Sequence, residues 1–94
     1  MANAIVTFKI MPESPDVDLE QVKEKAKTIL KEEGAKGDLQ DKIVPVAFGI
    51  KQLFLYAMFQ TTDEGVEYEQ MAEKIIKLDG VSDAVIEKVD LAMG

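Results

Sequence analysis

The chain contains no cysteine and no histidine, and all 11 of its basic residues are lysines. Without cysteine it has no disulfide, no thiol nucleophile and no thiolate ligand for a metal. Without histidine it lacks the commonest general base near neutral pH and the commonest metal ligand. Without arginine it has no planar group that could clamp a carboxylate or a phosphate with two hydrogen bonds. We therefore expect no enzyme activity, no catalytic residues, no bound metal and no cofactor.

The charge balance is acidic. Acidic residues outnumber basic ones by 18 to 11, which gives a formal net charge of −7 at pH 7. Binding to nucleic acid or to anionic membranes requires clustered basic side chains. We therefore expect no direct contact with nucleic acid or with a membrane. An acidic surface favours a basic protein partner, or serves solubility alone.

No segment has the properties of a targeting or membrane-spanning sequence. The longest apolar run, Leu53–Phe59, has the length of a strand. The first residues lack the basic region and apolar segment of a secretory signal, so the expected location is the cytoplasm. A chain of 94 residues is long enough for one modest core, and we expect residues 1–94 to form a single domain.

Apolar periodicity predicts four strands and two helices. The predicted strands are Ala4–Met11, Ile43–Ala47, Lys51–Thr61 and Ser82–Leu91. Alternation along the last strand predicts that Val85, Val89 and Leu91 share one face. Asp18 is the expected N-cap of the first helix and Gly34 its end, while Thr62 or Asp63 caps the second, which ends at Gly80. The polar residues 35–42 are predicted to form a loop.

The two helices each carry an apolar stripe. In the first helix the stripe is Leu19, Val22, Ala26, Ile29 and Leu30; in the second it is Tyr68, Met71, Ala72, Ile75 and Ile76. The element order is therefore β-α-β-β-α-β, in two similar halves. This order predicts a ferredoxin-like α+β fold, with a four-stranded antiparallel sheet and both helices on one face.

The predicted third strand is apolar on both of its faces. Leu53, Leu55, Ala57 and Phe59 form one face, and Phe54, Tyr56 and Met58 form the other. When helices cover only one side of a sheet, the other side is normally polar. An apolar open side indicates an interface with a partner, a dimer contact or a chain segment that folds over it.

A proline interrupts the apolar run Ile43–Leu53. Because proline cannot donate to a sheet ladder, this strand must lie at an edge or end early. Phe48 and Gly49 then predict a tight connection that carries a large ring. The ring either caps the core or is exposed as a docking point, and spacing alone favours the first interpretation.

The segment Val44–Leu53, with its Pro, Phe-Gly, Ile-Lys and Leu, resembles the central segment of the elongation factor 1-beta/delta exchange domain family. Lys9-Ile10-Met11-Pro12 resembles the end of the family's opening strand. Gly80-Val81 resembles the residues that precede its closing strand. The resemblance covers the whole chain and is to the short archaeal form. It implies guanine-nucleotide exchange on elongation factor 1-alpha, a GTPase of translation elongation, by a chain that is a monomer when free.

The resemblance and the open sheet face together give a set of expected partner-binding residues. They are Phe48, Gly49, Ile50, Lys51, Phe54, Tyr56, Met58, Lys88 and Asp90. With the family resemblance, Phe48 is expected to be a contact residue and not a core residue.

The sequence departs from the eukaryotic family pattern at one place. Those members carry a lysine near the C-terminus that reaches the magnesium site of the GTPase, whereas no lysine follows Lys88 here. Either Lys88 or Lys51 takes that part, or exchange works through distortion of the switch regions alone. The alternative to an exchange factor is a ferredoxin-like ligand-binding or regulatory module that dimerises through its open sheet face.

Overall fold

The structure, a computed structural model, describes residues 2–60 and 68–93, and the side chains of residues 3–59 and 68–90. Within them the strands are β1 (Ala2–Pro12), β2 (Lys36–Pro45), β3 (Lys51–Gln60) and β4 (Val81–Met93), and the helices are α1 (Leu19–Glu32) and α2 (Tyr68–Ile76). The strands form one antiparallel sheet in the order β2-β3-β1-β4. This is the ferredoxin-like α+β fold that the sequence predicts.

One face of the sheet forms the core with the helices. Val6, Phe8 and Ile10 of β1 are fully buried. On β3 the buried set is Leu53, Leu55, Ala57 and Phe59. These side chains join the buried residues of both helices in one apolar cluster. The open face of β3 is therefore the one that carries Phe54, Tyr56 and Met58.

Helix α1 begins and ends where the sequence predicts. The Asp18 carboxylate accepts a hydrogen bond of 3.0 Å from the Glu20 N–H and so caps the helix. After the last turn Gly34 takes a φ of 111°, a conformation that costs a residue with a Cβ about 1 kcal/mol. The chain can then reverse, and the Ala35 N–H donates back to the Leu30 carbonyl at 3.0 Å.

Helix α2 buries Met71, Ala72 and Ile75, which confirms its predicted apolar stripe. It ends at Ile76, before Gly80. The predicted caps of this helix, Thr62 and Asp63, lie outside the described residues. In the part of the chain that is described, neither helix is long and apolar enough to cross a bilayer.

The predicted loop at residues 35–42 is wrong, because β2 begins at Lys36. Pro45 ends β2, and β2 lies at an edge of the sheet, as the proline requires. An edge strand needs only main-chain pairing with one neighbour, which Gln40 and Lys42 make opposite Tyr56 and Phe54. Polar composition therefore did not prevent strand formation here.

The predicted shared face of Val85 and Val89 on β4 is also wrong. Val85 lies opposite Lys9, on the open face, whereas Val89 lies opposite Val6, on the helix face. A register shift between Thr7 and Phe8 places an extra residue in β4. Such a bulge reverses the alternation of side chains along the strand. The predicted companion Leu91 lies outside the described side chains.

Candidate partner-binding site

The β2–β3 hairpin closes through a tight turn at Ala47–Ile50. The Ile50 N–H donates to the Ala47 carbonyl at 3.0 Å, and the Val46 N–H donates to the Ile50 carbonyl at 2.8 Å. Both central residues have positive φ, 57° for Phe48 and 78° for Gly49. Positive φ at both positions is the pattern of a type I′ turn, which normally has Asn or Gly first.

Phe48 therefore occupies a backbone position that disfavours it by about 1 kcal/mol. Its side chain offsets none of this cost by burial, because it is 96% exposed. The interpretation in which the ring caps the core is wrong. Phe48 is the only non-glycine residue with positive φ in residues 2–60 and 68–93. A strained and exposed aromatic at a hairpin tip is typical of a contact residue.

A cleft lies beside the hairpin, at the end of the sheet where β1 stops. The hairpin reaches this end because Leu53 of β3 pairs with Ile10 of β1. The β1–α1 connection packs against the hairpin, and a Cβ placed on Gly49 would lie 3.9 Å from the Cβ of Pro15. The cleft has a volume of about 340 Å³ and is lined by residues of the hairpin, β2, the connection and the start of α1.

Lys51 belongs to this end of the molecule. It is exposed at the first position of β3 and lines the cleft together with Ile43. Its register places it on the helix side of the sheet, two residues before the buried Leu53. We call Phe48, Gly49, Ile50 and Lys51 the hairpin site.

The remaining predicted residues share the open face of the sheet. Phe54 lies between Lys42 and Lys9, and Tyr56 lies between Gln40 and Thr7. Phe54 and Tyr56 are half-buried, and Met58 is 37% exposed.

Lys88 and Asp90 belong to this face through β4. Lys88 pairs with Thr7 and Asp90 with Ile5. The two side chains form an ion pair, with 3.5 Å between Lys88 Nζ and Asp90 Oδ2. We call Phe54, Tyr56, Met58, Lys88 and Asp90 the open-face patch. Lys51 and Lys88, the two lysines expected to reach the partner, thus lie on opposite sides of the sheet.

An ion-pair network joins β2 to α1 behind the hairpin. Lys27 Nζ lies 3.0 Å from Asp41 Oδ1, and Lys23 Nζ lies 3.7 Å from Asp41 Oδ2. The hydrogen bond from Lys27 lowers the pKa of Asp41, and the charge of Lys23 adds to the effect. The hydrogen bond to Glu20 raises the pKa of Lys23. The network ties the edge strand that carries the hairpin to the first helix.

The contribution of the β1–α1 connection was not predicted from the sequence, although its Pro15 and the last residue of β1, Pro12, both line the cleft. The contact of Asp41 with α1 was not predicted either. The available signal was the alternation of β2, which places Asp41 and Ile43 on one face, but the residues before Ile43 were assigned to a loop.

A solved structure has a similar fold. It is LarC2, the C-terminal domain of a cyclometallase involved in the synthesis of the NPN cofactor of lactate racemase, in its apo form. The similarity covers 99% of this chain and 58% of that chain, with a TM-score of 0.60 and 10% sequence identity. At this identity it shows the fold alone.

Three archaeal proteins named elongation factor 1-beta are similar over most of the chain. The protein from Methanoregula boonei is 37% identical over 91 residues, which cover 97% of this chain and 99% of the relative. The protein from Staphylothermus marinus is 37% identical over 89 residues, with coverages of 95% and 96%. The protein from Pyrococcus abyssi is 30% identical over 87 residues, with coverages of 93% and 92%.

The family model that matches the chain does so over nearly its whole length. Residues 5–92 match the EF-1 guanine nucleotide exchange domain. The match includes all of β2, β3 and both helices and most of β1 and β4. The chain belongs to the EF-1 guanine nucleotide exchange domain family.

Proposed function

We propose that this chain accelerates the release of GDP from elongation factor 1-alpha and so allows the GTPase to reload with GTP. Its family membership and its relatives support a guanine-nucleotide exchange role in translation elongation. Such a factor makes no covalent bond. It binds the nucleotide-free GTPase more tightly than the GDP-bound form, and by linkage it weakens the binding of GDP by the same factor.

The observation that carries the proposal is the state of Phe48. The side chain is 96% exposed on a turn with a φ of 57°, so folding gains nothing from the ring. Burial of a phenylalanine against a partner contributes about 2 kcal/mol of apolar transfer free energy. A site of this kind stabilises a complex and does not stabilise the free chain.

The required energy is within the range of such contacts. A thousandfold faster release of GDP corresponds to about 4 kcal/mol in the barrier. Two or three well-packed contacts at the centre of an interface can supply that amount. We assign the central contact to the hairpin site and a flanking contact to the open-face patch. The proposal assumes a single copy of the chain for each GTPase.

A direct assay tests the proposal. The purified chain is mixed with elongation factor 1-alpha of the same organism, loaded with fluorescent GDP, in an excess of unlabelled nucleotide. We expect the rate of release to rise with the concentration of the chain and then to saturate, because an exchange complex forms. The control is release in the absence of the chain. Equal rates with and without the chain at every concentration would refute the proposal.

A further inference from the structure

We propose that the cleft beside the hairpin receives a lysine or arginine side chain of the same GTPase. The cleft would then be a second anchor next to Phe48. This inference rests on the proposed function, because it names a further contact with the same partner. Three observations support it: an apolar floor, an acidic rim and continuity with the hairpin site.

The floor of the cleft is apolar. Pro12 is buried, and Leu19 and Ile43 are half-buried, so each presents carbon to the cleft while it packs on the protein. A volume of about 340 Å³ is at the small end of the range for small-molecule sites. It suits one long side chain better than a drug-sized ligand. The stem of lysine or arginine can lie along such a surface with its charge at the rim.

Carboxylates outnumber lysines among the residues that line the cleft. Asp18 and Glu20, both exposed, line the cleft, against the single basic lining residue Lys51. Residues 10–22 contain four carboxylates and no lysine. Glu20 already contacts Lys23 at 2.6 Å, but a carboxylate has several acceptor positions and can accept a hydrogen bond from a second cation. A basic side chain is therefore a better match for the rim than an acidic one.

The cleft is continuous with the hairpin site. Gly49 and Lys51 belong to both, and Gly49 directly follows Phe48 in the chain. A partner that buries Phe48 therefore lies next to the cleft and can extend over it. A surface that covers the cleft without filling it would leave a void, which costs contact energy at the centre of an interface.

The first test compares two matched substitutions on α1. Glu20→Gln removes a rim charge, whereas Glu24→Gln removes the same charge one turn further along, away from the cleft. In the GDP-release assay we expect Glu20→Gln to raise the concentration for half-maximal acceleration about three- to tenfold. We expect Glu24→Gln to change it less than about twofold, as for a distant surface charge. Equal effects of the two variants would refute the inference.

The second test fills the cleft. The variant is Ser14→Leu, at a residue that lines the cleft. We expect the concentration for half-maximal acceleration to rise at least as much as in Glu20→Gln, and the rate at saturation to change less. Thermal melting checks that each variant is folded. If Ser14→Leu weakens binding but Glu20→Gln does not, the cleft receives an apolar group and the basic side chain is refuted. If neither variant has an effect while Phe48→Gly strongly impairs exchange, the cleft inference fails and the proposed function stands.

Discussion

The hairpin site and the open-face patch both present aromatic side chains to solvent, but folding explains the two to different extents. Phe54 and Tyr56 are half-buried in a regular strand, where aromatic residues are favourable. They also pack between the side chains of neighbouring strands. Phe48 is 96% exposed and has a positive φ, so neither its environment nor its backbone favours it.

This difference separates two kinds of exposed apolar residue. A half-buried aromatic on an open sheet face contributes to the stability of the free chain whether or not a partner binds. A strained and fully exposed aromatic contributes to stability only when something covers it. The hairpin site is therefore the stronger indication of an interface, and the open-face patch is a flanking surface in our proposal.

The largest expected effect is that of removing the Phe48 ring. We expect Phe48→Ala and Phe48→Gly to slow GDP release at saturating concentrations of the chain, or to weaken its binding to the GTPase, by about 30-fold or more. Such a change corresponds to the loss of a contact of about 2 kcal/mol. Their stabilities should differ, since Gly tolerates a φ of 57° and Ala does not. Phe48→Gly should exceed Phe48→Ala by about 1 kcal/mol in free energy of unfolding, measured by urea titration.

Val46 provides the matched control on the same hairpin. It is an apolar residue that is 52% exposed. Val46→Ala should leave exchange within about threefold of the unchanged chain, because less apolar area is lost. If Val46→Ala is as damaging as Phe48→Ala, the hairpin acts through its general apolar surface and the assignment to Phe48 is wrong.

A smaller effect is expected for the two candidate lysines, one in each region. Lys51→Ala should weaken exchange by about two- to fivefold, the range for a charge at the rim of an interface, and Lys88→Ala by less. The reason is that Lys51 adjoins Phe48, whereas Lys88 lies on the other side of the sheet in an ion pair with Asp90. The exchange rate of each variant, measured over a series of salt concentrations, gives the effect of each lysine. A larger effect for Lys88→Ala would move the principal contact to the open-face patch.

The smallest expected effect concerns stability, at the Asp41 network behind the hairpin. The pKa of Asp41 is lowered from 3.8, chiefly by the hydrogen bond from Lys27. Its contribution to stability is therefore present above pH 3.8 and is lost as the pH falls through the lowered value. Asp41→Asn should lose less stability than the unchanged chain between pH 7 and pH 3.

The stability of Asp38→Asn, measured by urea titration between pH 7 and pH 3 as for Asp41→Asn, provides the control. Asp38 lies on the same strand and carries the same charge. We expect the change in acid sensitivity to be larger for Asp41→Asn than for Asp38→Asn, because Asp41 makes the contacts with Lys23 and Lys27. An equal reduction in both variants would show that net charge, and not the Lys27–Asp41 contact, sets the acid sensitivity.

The core of this fold could be predicted from the sequence because its periodicities are local. The apolar stripes of α1 and α2 each specify one buried face, and the structure confirms them. In β3 both faces are apolar, and only the packing of the helices decides that Leu53, Leu55, Ala57 and Phe59 are the buried set. Asp18 and Gly34 marked the ends of α1 through capping chemistry that depends on a few neighbouring residues.

The errors fall where pairing between distant segments decides the outcome. Residues 36–42 are polar, and only the backbone of β3 makes them a strand. The face of Val85 depends on a bulge opposite β1, which no local pattern in β4 reveals. The cleft likewise exists only because the β1–α1 connection and the hairpin meet at one end of the sheet.

The sequence by itself determined the order of the elements, the buried faces of both helices, and the presence of an aromatic ring on a tight turn. Residue spacing alone left open whether that ring caps the core, because spacing does not define the direction of a turn. The tertiary structure decided this point: pairing of β2 with β3 closes the hairpin with positive φ at Phe48 and leaves the ring 96% exposed. The direction of a hairpin tip depends on the backbone conformation of a few residues held by strand pairing, and not on the hydrophobicity of the residue that it carries.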